Sequence, residues 1–306
     1  MNFIKTTIPS AYDGLMLEAT LFIPKEKPKG IIQIAHGMAE HKERYFDFMK
    51  FLCEHRYLCI IHDHRGHGKS IQEDSDFGYF YTDQIDGIVQ DLYQITKYVK
   101  HEYPNLPVFL FAHSMGTLVA RNYMKQYDKE VEKVILCGIP TQNILVPLAL
   151  LLTKASIMVC GGKHRNKLLN FLSFHSYNHG YTLKNAWLSS DENVVKQYND
   201  DANCGFIFTN NGFLNLFQML KRAYEKKDWK VQHPTLPILL IAGENDPVIQ
   251  NKKKFYETEQ FLREVGYTFI SSKLYSGKRH ELLNEKNKTE VYQDILNFVR
   301  NENSSL

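Results

Sequence analysis

What this chain has little of narrows its class first. Its 306 residues carry a net charge of only +3, from 37 Lys and Arg against 34 Asp and Glu, with no block of like charge. So weak a field argues against nucleic acid as a partner. The five cysteines (Cys53, Cys59, Cys137, Cys160, Cys204) are odd in number, scattered, and lack the spacing of a metal site or a disulfide framework. They read as reduced, mostly buried thiols, so the expected location is cytoplasmic. No apolar run is long enough to span a bilayer, and Met1 to Pro9 holds no apolar core of signal-peptide length. Internal repeats and low-complexity tracts are missing too.

What is present supports a large core. Hydrophobic residues make up 43% of the chain, and its length suits either one α/β domain with an insertion or two domains. Phe3 to Pro9 and Leu15 to Pro24 read as strands joined through Asp13-Gly14, a hairpin signal. Gly30 to His36, Tyr57 to His62, Val108 to His113 and Val131 to Gly138 are short apolar runs suited to buried strands. Between them lie helical stretches over about 43–55, 83–102 and 117–127. This alternation predicts an α/β fold with a mostly parallel central sheet flanked by helices on both faces. The rhythm breaks over 139–233, read as an inserted helical cap. It resumes with Pro237 to Gly243, a helix to about Val265, a strand over Thr268 to Tyr275 and a last helix to about Arg300. The expected core domain is therefore 1–138 plus 234–306.

Ligands of such sheets bind beyond the carboxyl ends of the strands, and the chemistry-bearing residues fall there. Ala112-His-Ser114-Met-Gly116 places a serine between a strand and a helix with small residues two before and two after it. That is the arrangement of a nucleophile elbow; a plain serine N-cap is the bland alternative. A serine hydroxyl needs a base within hydrogen-bond reach and an acid orienting that base. Asp246 directly follows an apolar strand, and Pro247 forces a turn there, which makes it the best acid, with Glu244 as the fallback. His280 follows the last strand and is the sole histidine downstream of Asp246. The order Ser, Asp, His is the expected one. Two backbone N–H groups must also meet a developing oxyanion. Met115 follows the nucleophile, and Met38 follows Gly37 in the loop after the first buried parallel strand. Gly37 and Met38 are the expected substrate-binding pair. The cluster His62-Asp-His-Arg-Gly-His67 suggests metal ligands but supplies no distinctive partner set. It reads instead as a wall of the site in which Asp63 and His67 bond to neighbouring backbone, and no metal is expected.

These motifs together carry a resemblance. His36-Gly-Met-Ala-Glu-His41, Asp63-His-Arg-Gly-His-Gly-Lys-Ser70, Ala112-His-Ser-Met-Gly116, Glu244-Asn-Asp-Pro-Val248 and Tyr275-Ser-Gly-Lys-Arg-His280 resemble monoacylglycerol lipases and bacterial lysophospholipases. Those form the α/β-hydrolase branch labelled serine aminopeptidase S33. The resemblance implies the α/β-hydrolase fold, a serine nucleophile, no cofactor, and small-molecule ester substrates with a fatty acyl chain. Ser114, Asp246 and His280 match the family triad, and Met38 and Met115 its oxyanion positions. Ala112 departs from the usual first glycine of the elbow by one methyl group.

In the cap, Val146 to Cys160 is apolar nearly all round if helical. Such a helix packs on the core, lines an acyl cavity, or grazes a lipid surface. Lys154 and Lys163-His-Arg165 at its end could meet anionic headgroups. Asn185 to Asp191 and Asn203 to Phe208 are candidates for the underside of the cap. The expected function is hydrolysis of carboxylic esters, monoacylglycerol or lysophospholipid above others, through an acyl-enzyme. The rivals are an aminopeptidase (Asp191, Glu192, Asp200 and Asp201 as amine holders), a thioesterase, and a non-catalytic binder on the same scaffold.

Overall fold

The computed structural model describes residues 1–300, so the expected bound of the core at 306 lies outside the described residues. The chain opens with β1 (Asn2–Pro9) and β2 (Met16–Ile23), antiparallel with Thr6 opposite Ala19 and turning through Asp13 and Gly14. There follow β3 (Gly30–Ala35), a 3-10 turn (Lys42–Tyr45), α1 (Phe46–Glu54), β4 (Tyr57–His62), α2 (Asp86–Glu102), β5 (Val108–His113), α3 (Met115–Tyr127) and β6 (Lys133–Cys137). Between β6 and the next strand lie α4 (Val146–Cys160), α5 (Lys167–Phe174), α6 (Glu192–Asp200) and α7 (Asn210–Ala223). The sheet resumes with β7 (Ile238–Gly243), α8 (Lys252–Glu264) and β8 (Ile270–Tyr275), and α9 (Lys288–Arg300) closes the described chain. The eight strands form one sheet in the order β1-β2-β4-β3-β5-β6-β7-β8, parallel from β4 to β8.

Every residue of β3, β4, β5, β6 and β7 is buried, as a parallel sheet covered on both faces requires. Alternate side chains feed two separate cores. Ile31, Leu58, Ile60, Leu110 and Leu136 face α2, α3 and α8, while Ile32, Ile34, Cys59, Ile61, Phe111 and Ile135 face α1 and α9. Gln33 breaks the apolar run without cost to the core. Its side-chain nitrogen donates to the carbonyl of Leu92 at 2.9 Å, and its oxygen accepts from Thr96 Oγ1 at 2.8 Å, so neither end is left unpaired.

Two helices begin later than their periodicity suggests. Lys42–Tyr45 is a 3-10 turn, so α1 starts at Phe46, and α2 starts at Asp86 after a run of turns. In the first case Asp63 accepts both the backbone N–H and the ammonium of Lys42 (2.8 and 2.6 Å), pinning the entry of the helix. The basic run after α4 is tied to the loop around Asp76. Lys163 pairs with Asp76 at 2.8 Å, and Arg165 donates to the carbonyls of Ser75, Phe77 and Ile207. Both charges have partners, although the Lys163 side chain stays 62% exposed.

A close backbone approach lies where α3 leaves β5. A Cβ on Gly116 would stand 2.3 Å from the carbonyl oxygen of Ala35 at the end of β3. Gly116→Ala is therefore expected to lower stability by about 3 kcal/mol, read as the shift of the urea unfolding midpoint. An unchanged midpoint would mean that the contact yields freely.

Candidate active site

Ser114 is the hinge residue between β5 and α3 and holds φ 51° and ψ −119°. A non-glycine residue pays for positive φ, and here the turn exposes its side chain at the carboxyl edge of the sheet. Gly37, at the end of β3, is pressed against it: a Cβ there would meet Glu40 Oε1 at 2.6 Å and Ser114 Cβ at 3.2 Å. The N–H groups of Met38 and Met115 are taken by no hydrogen bond among the described residues.

Asp246 follows β7, and His280 follows β8. The carboxylate is buried, accepts the Val248 N–H through Oδ1 (2.8 Å), and meets His280 Nδ1 through Oδ2 at 2.9 Å. Gly138, at the end of β6, makes room for the ring; its Cβ would lie 3.0 Å from His280 Cε1. Trp187 covers the imidazole from the β6–β7 insertion, with ring centroids 5.1 Å apart. Gly37, Met38, Ser114, Met115 and His280 all line one cavity of about 860 Å³, within the range of small-molecule sites. Among the described residues no hydrogen bond joins Ser114 to His280, a contact that in uncomplexed sites is often long and tightens on substrate binding.

The walls divide by polarity. Leu118, Val146, Ala149, Leu169, Leu216 and Phe217 form a buried or half-buried apolar side. Trp187, Leu188, Gly205, Phe206 and Ile207 come from the two stretches expected beneath the cap. The loop Asp63 to Ser70, expected as a wall, lines none of the cavity. It lies one layer deeper because Asp63 accepts from the Lys42 and Lys69 backbone (2.8 and 2.9 Å), and His67 Nδ1 bonds the Arg65 carbonyl (3.0 Å). The four rings of His36, His62, His64 and His67 cluster next to Gly37 in tilted and edge-on contacts, His36 and His64 being 4.4 Å apart. Among the described residues, one group has metal-ligating atoms gathered within 4.8 Å: His41, Asp201 and Cys204. Both ring nitrogens of His41 already meet carboxylates, Glu43 at 2.6 Å and Asp201 at 2.8 Å.

Five residues beside Ser114 were given no role by the sequence reading. Glu40 lines the cavity, accepts the Gly37 N–H (2.6 Å) and the Tyr45 hydroxyl (2.8 Å), and lies 3.3 Å from His113 Nδ1. Arg44 bridges Glu40 and Glu281. Burial opposes the Glu40 charge, but His113 and Arg44 outweigh it and hold the carboxyl well below its ordinary range. Burial likewise opposes a charge on His113, and Glu40 raises its pKa nonetheless. The signal for Glu40 was its place within His36 to His41; Arg44 and Glu281 had none.

Comparison with known proteins gives this arrangement a context. Residues 26–287 match the family model described as serine aminopeptidase, S33. Over 293 residues the chain is 28% identical to the monoglyceride lipase of Rattus norvegicus, covering 94% of this chain and 86% of that one. It is 24% identical over 289 residues to a probable lysophospholipase L2 of Haemophilus influenzae, with 91% and 85% covered. Among solved structures it superposes on a thermostable carboxyl esterase from Bacillus coagulans in complex with glycerol. The TM-score is 0.88, the identity 27%, and the coverage 98% of each chain.

The buried histidine cluster should make the molecule acid-sensitive. Burial first, then neighbouring positive charge, holds His36 and His64 well below the ordinary imidazole pKa and His62 at about 3; burial alone takes His67 down to about 4. Both ring nitrogens of His62 and His64 and Nε2 of His67 have no hydrogen-bond partner among the described residues. Unfolded imidazoles bind a proton near pH 6.5, so the stabilisation is complete above that pH and is lost as the pH falls below it. His41 and His113, whose pKa values are raised, run the other way and lose their contribution as the pH rises. Going from pH 7 to 5.5, each of the four clustered histidines should remove about 1 kcal/mol. Urea unfolding at the two pH values measures the sum; equal stabilities would contradict it.

Proposed function

The chain belongs to the serine aminopeptidase S33 family, and from that premise we propose a serine hydrolase of carboxylic esters with Ser114 as nucleophile. The observation that supports the reading best is Ser114 held at φ 51° in the same cavity as His280, whose Nδ1 meets Asp246 at 2.9 Å. Ser114 Oγ attacks the ester carbonyl while His280 Nε2 takes its proton. Asp246 keeps the Nδ1 tautomer and steadies the imidazolium. The N–H groups of Met38 and Met115 receive the oxyanion. His280 then protonates the leaving alcohol, and a water activated by the same ring releases the acid.

We assign the substrate as a monoacylglycerol or a lysophospholipid. The relatives named monoglyceride lipase and lysophospholipase L2, and the esterase complexed with glycerol, support that choice. The apolar wall suits an acyl chain, each buried methylene contributing about 0.8 kcal/mol. An aminopeptidase needs a free carboxylate for the α-amine. Asp191, Glu192, Asp200 and Asp201 do not line the cavity, while Glu40 and Glu281, which do, are engaged by Arg44. That observation favours esters over peptides.

In this reading residues 139–233 are the cap, and α4 is its contact with lipid. Only Val146 and Thr153 of α4 are buried. Leu148 and Leu152 line the cavity, while Leu151, Met158 and Val159 are 64, 81 and 83% exposed. Apolar surface of this kind marks an interaction site, and the alternating use of one helix would deliver a lipid from an interface to Ser114.

Ser114→Ala should reduce kcat on p-nitrophenyl butyrate by roughly 10⁴-fold or more with the fold intact, and a series of monoacylglycerol, lysophospholipid and aminoacyl-anilide should rank the anilide last. Full activity of the variant, or preference for the anilide, would overturn the reading. Leu151→Glu combined with Met158→Glu should weaken cosedimentation with lipid vesicles and lower turnover of vesicle-borne monoacylglycerol several-fold, while p-nitrophenyl acetate hydrolysis stays unchanged.

A further inference from the structure

We infer that Arg44 is a positioning residue that locks the oxyanion turn to the loop carrying the catalytic base. The inference rests on the reading of Ser114, His280 and Met38 given above. Arg44 lies on the 3-10 turn before α1, outside every motif of the reaction, yet its guanidinium spans both loops that flank Ser114. NH1 and NH2 donate to the two oxygens of Glu281, each at 2.6 Å, and NH1 also donates to Glu40 Oε2 at 2.7 Å. Glu281 is the residue after His280. Glu40 reaches back from its other oxygen to the N–H of Gly37 at 2.6 Å, one residue before the Met38 donor. One cation therefore fixes where the oxyanion donor and the imidazole stand relative to each other.

The surroundings rule out a loose surface ion pair. The Arg44 side chain is 11% exposed and the two carboxylates 4% each. The Tyr198 ring of α6 covers the guanidinium at 4.9 Å. The N–H of Glu281 is held by the Leu188 carbonyl at 2.7 Å, and Asn284 donates to its Oε2 at 3.2 Å. A planar fork satisfies two carboxylates in fixed directions, which a lysine ammonium cannot do. Without the fork, Glu281 loses its cation and Glu40 keeps only His113, Tyr45 and the Gly37 N–H, so among the described residues no side chain joins the two carboxylates. A displacement of about 1 Å at reacting groups costs roughly 100-fold in rate.

The effect should fall on kcat, because the groups it aligns act in the transition state more than in ground-state binding. Arg44→Met, Arg44→Lys, Glu281→Gln and the Arg44→Met/Glu281→Gln pair are assayed on p-nitrophenyl butyrate. Rates are expressed per site titrated with a fluorophosphonate. Expected are a roughly 100-fold lower kcat for Arg44→Met with KM within threefold, an intermediate kcat for Arg44→Lys, and a double variant better than the product of its parents. If Arg44→Met fails to fold, Arg44→Lys and Glu281→Gln carry the same comparison. A kcat per titrated site within twofold of the parent in those variants, with only the melting temperature lowered, would overturn the inference and leave a structural ion pair. So would losses confined to KM or strictly multiplicative in the double variant. A parent enzyme that the fluorophosphonate does not label would instead sink the nucleophile assignment, a separate result.

Discussion

Everything at the carboxyl edge of the sheet depends on how closely two backbones meet. Gly116 brings α3 onto the end of β3, and Gly37 brings the end of β3 onto Ser114. With no Cβ at either place, the serine can sit in a left-handed conformation that its own side chain disfavours. The cost is offset by the surrounding sheet, whose central strands are buried along their whole length. Strain at the hinge is thus an output of core packing, not a local choice. It also explains why Ala112 is tolerated: the methyl points into the core, where β5 pairs with Ala35 of β3.

Much of this was legible in the sequence because each proposed reacting group follows a strand end. Short apolar runs bounded by Pro or Gly marked β3 to β7, and Ser114, Asp246 and His280 stand within a few residues of the ends of β5, β7 and β8. The helices between β6 and β7 were signalled by the loss of strand rhythm after Gly138. Arg44 and Glu281 were not legible, since their bond joins positions 237 apart and no local pattern encodes it. The loop from Asp63 to Ser70 misled for a physical reason. It too follows a strand end, but its aspartate turns inward to gather backbone donors and pulls the loop a layer below the cavity.

Charge near Ser114 is arranged by subtraction. Glu40, Glu281, His113, Arg44 and Tyr45 crowd a space with little water, where an unpaired ion is costly. Each member is bonded to another, and the set includes the residues directly before Ser114 and directly after His280. The histidine cluster solves the same problem by staying neutral. One neighbourhood holds its charges in pairs and the other keeps its imidazoles neutral, both within reach of the turn at Gly37.

The helix Val146–Cys160 turns some of its leucines inward and leaves others bare. On the proposal that α4 touches lipid, the enzyme would meet its substrate as a surface density. Its velocity would then scale with the area of interface offered, not with the moles of lipid added, and dispersing the same lipid more finely would count as raising its dose.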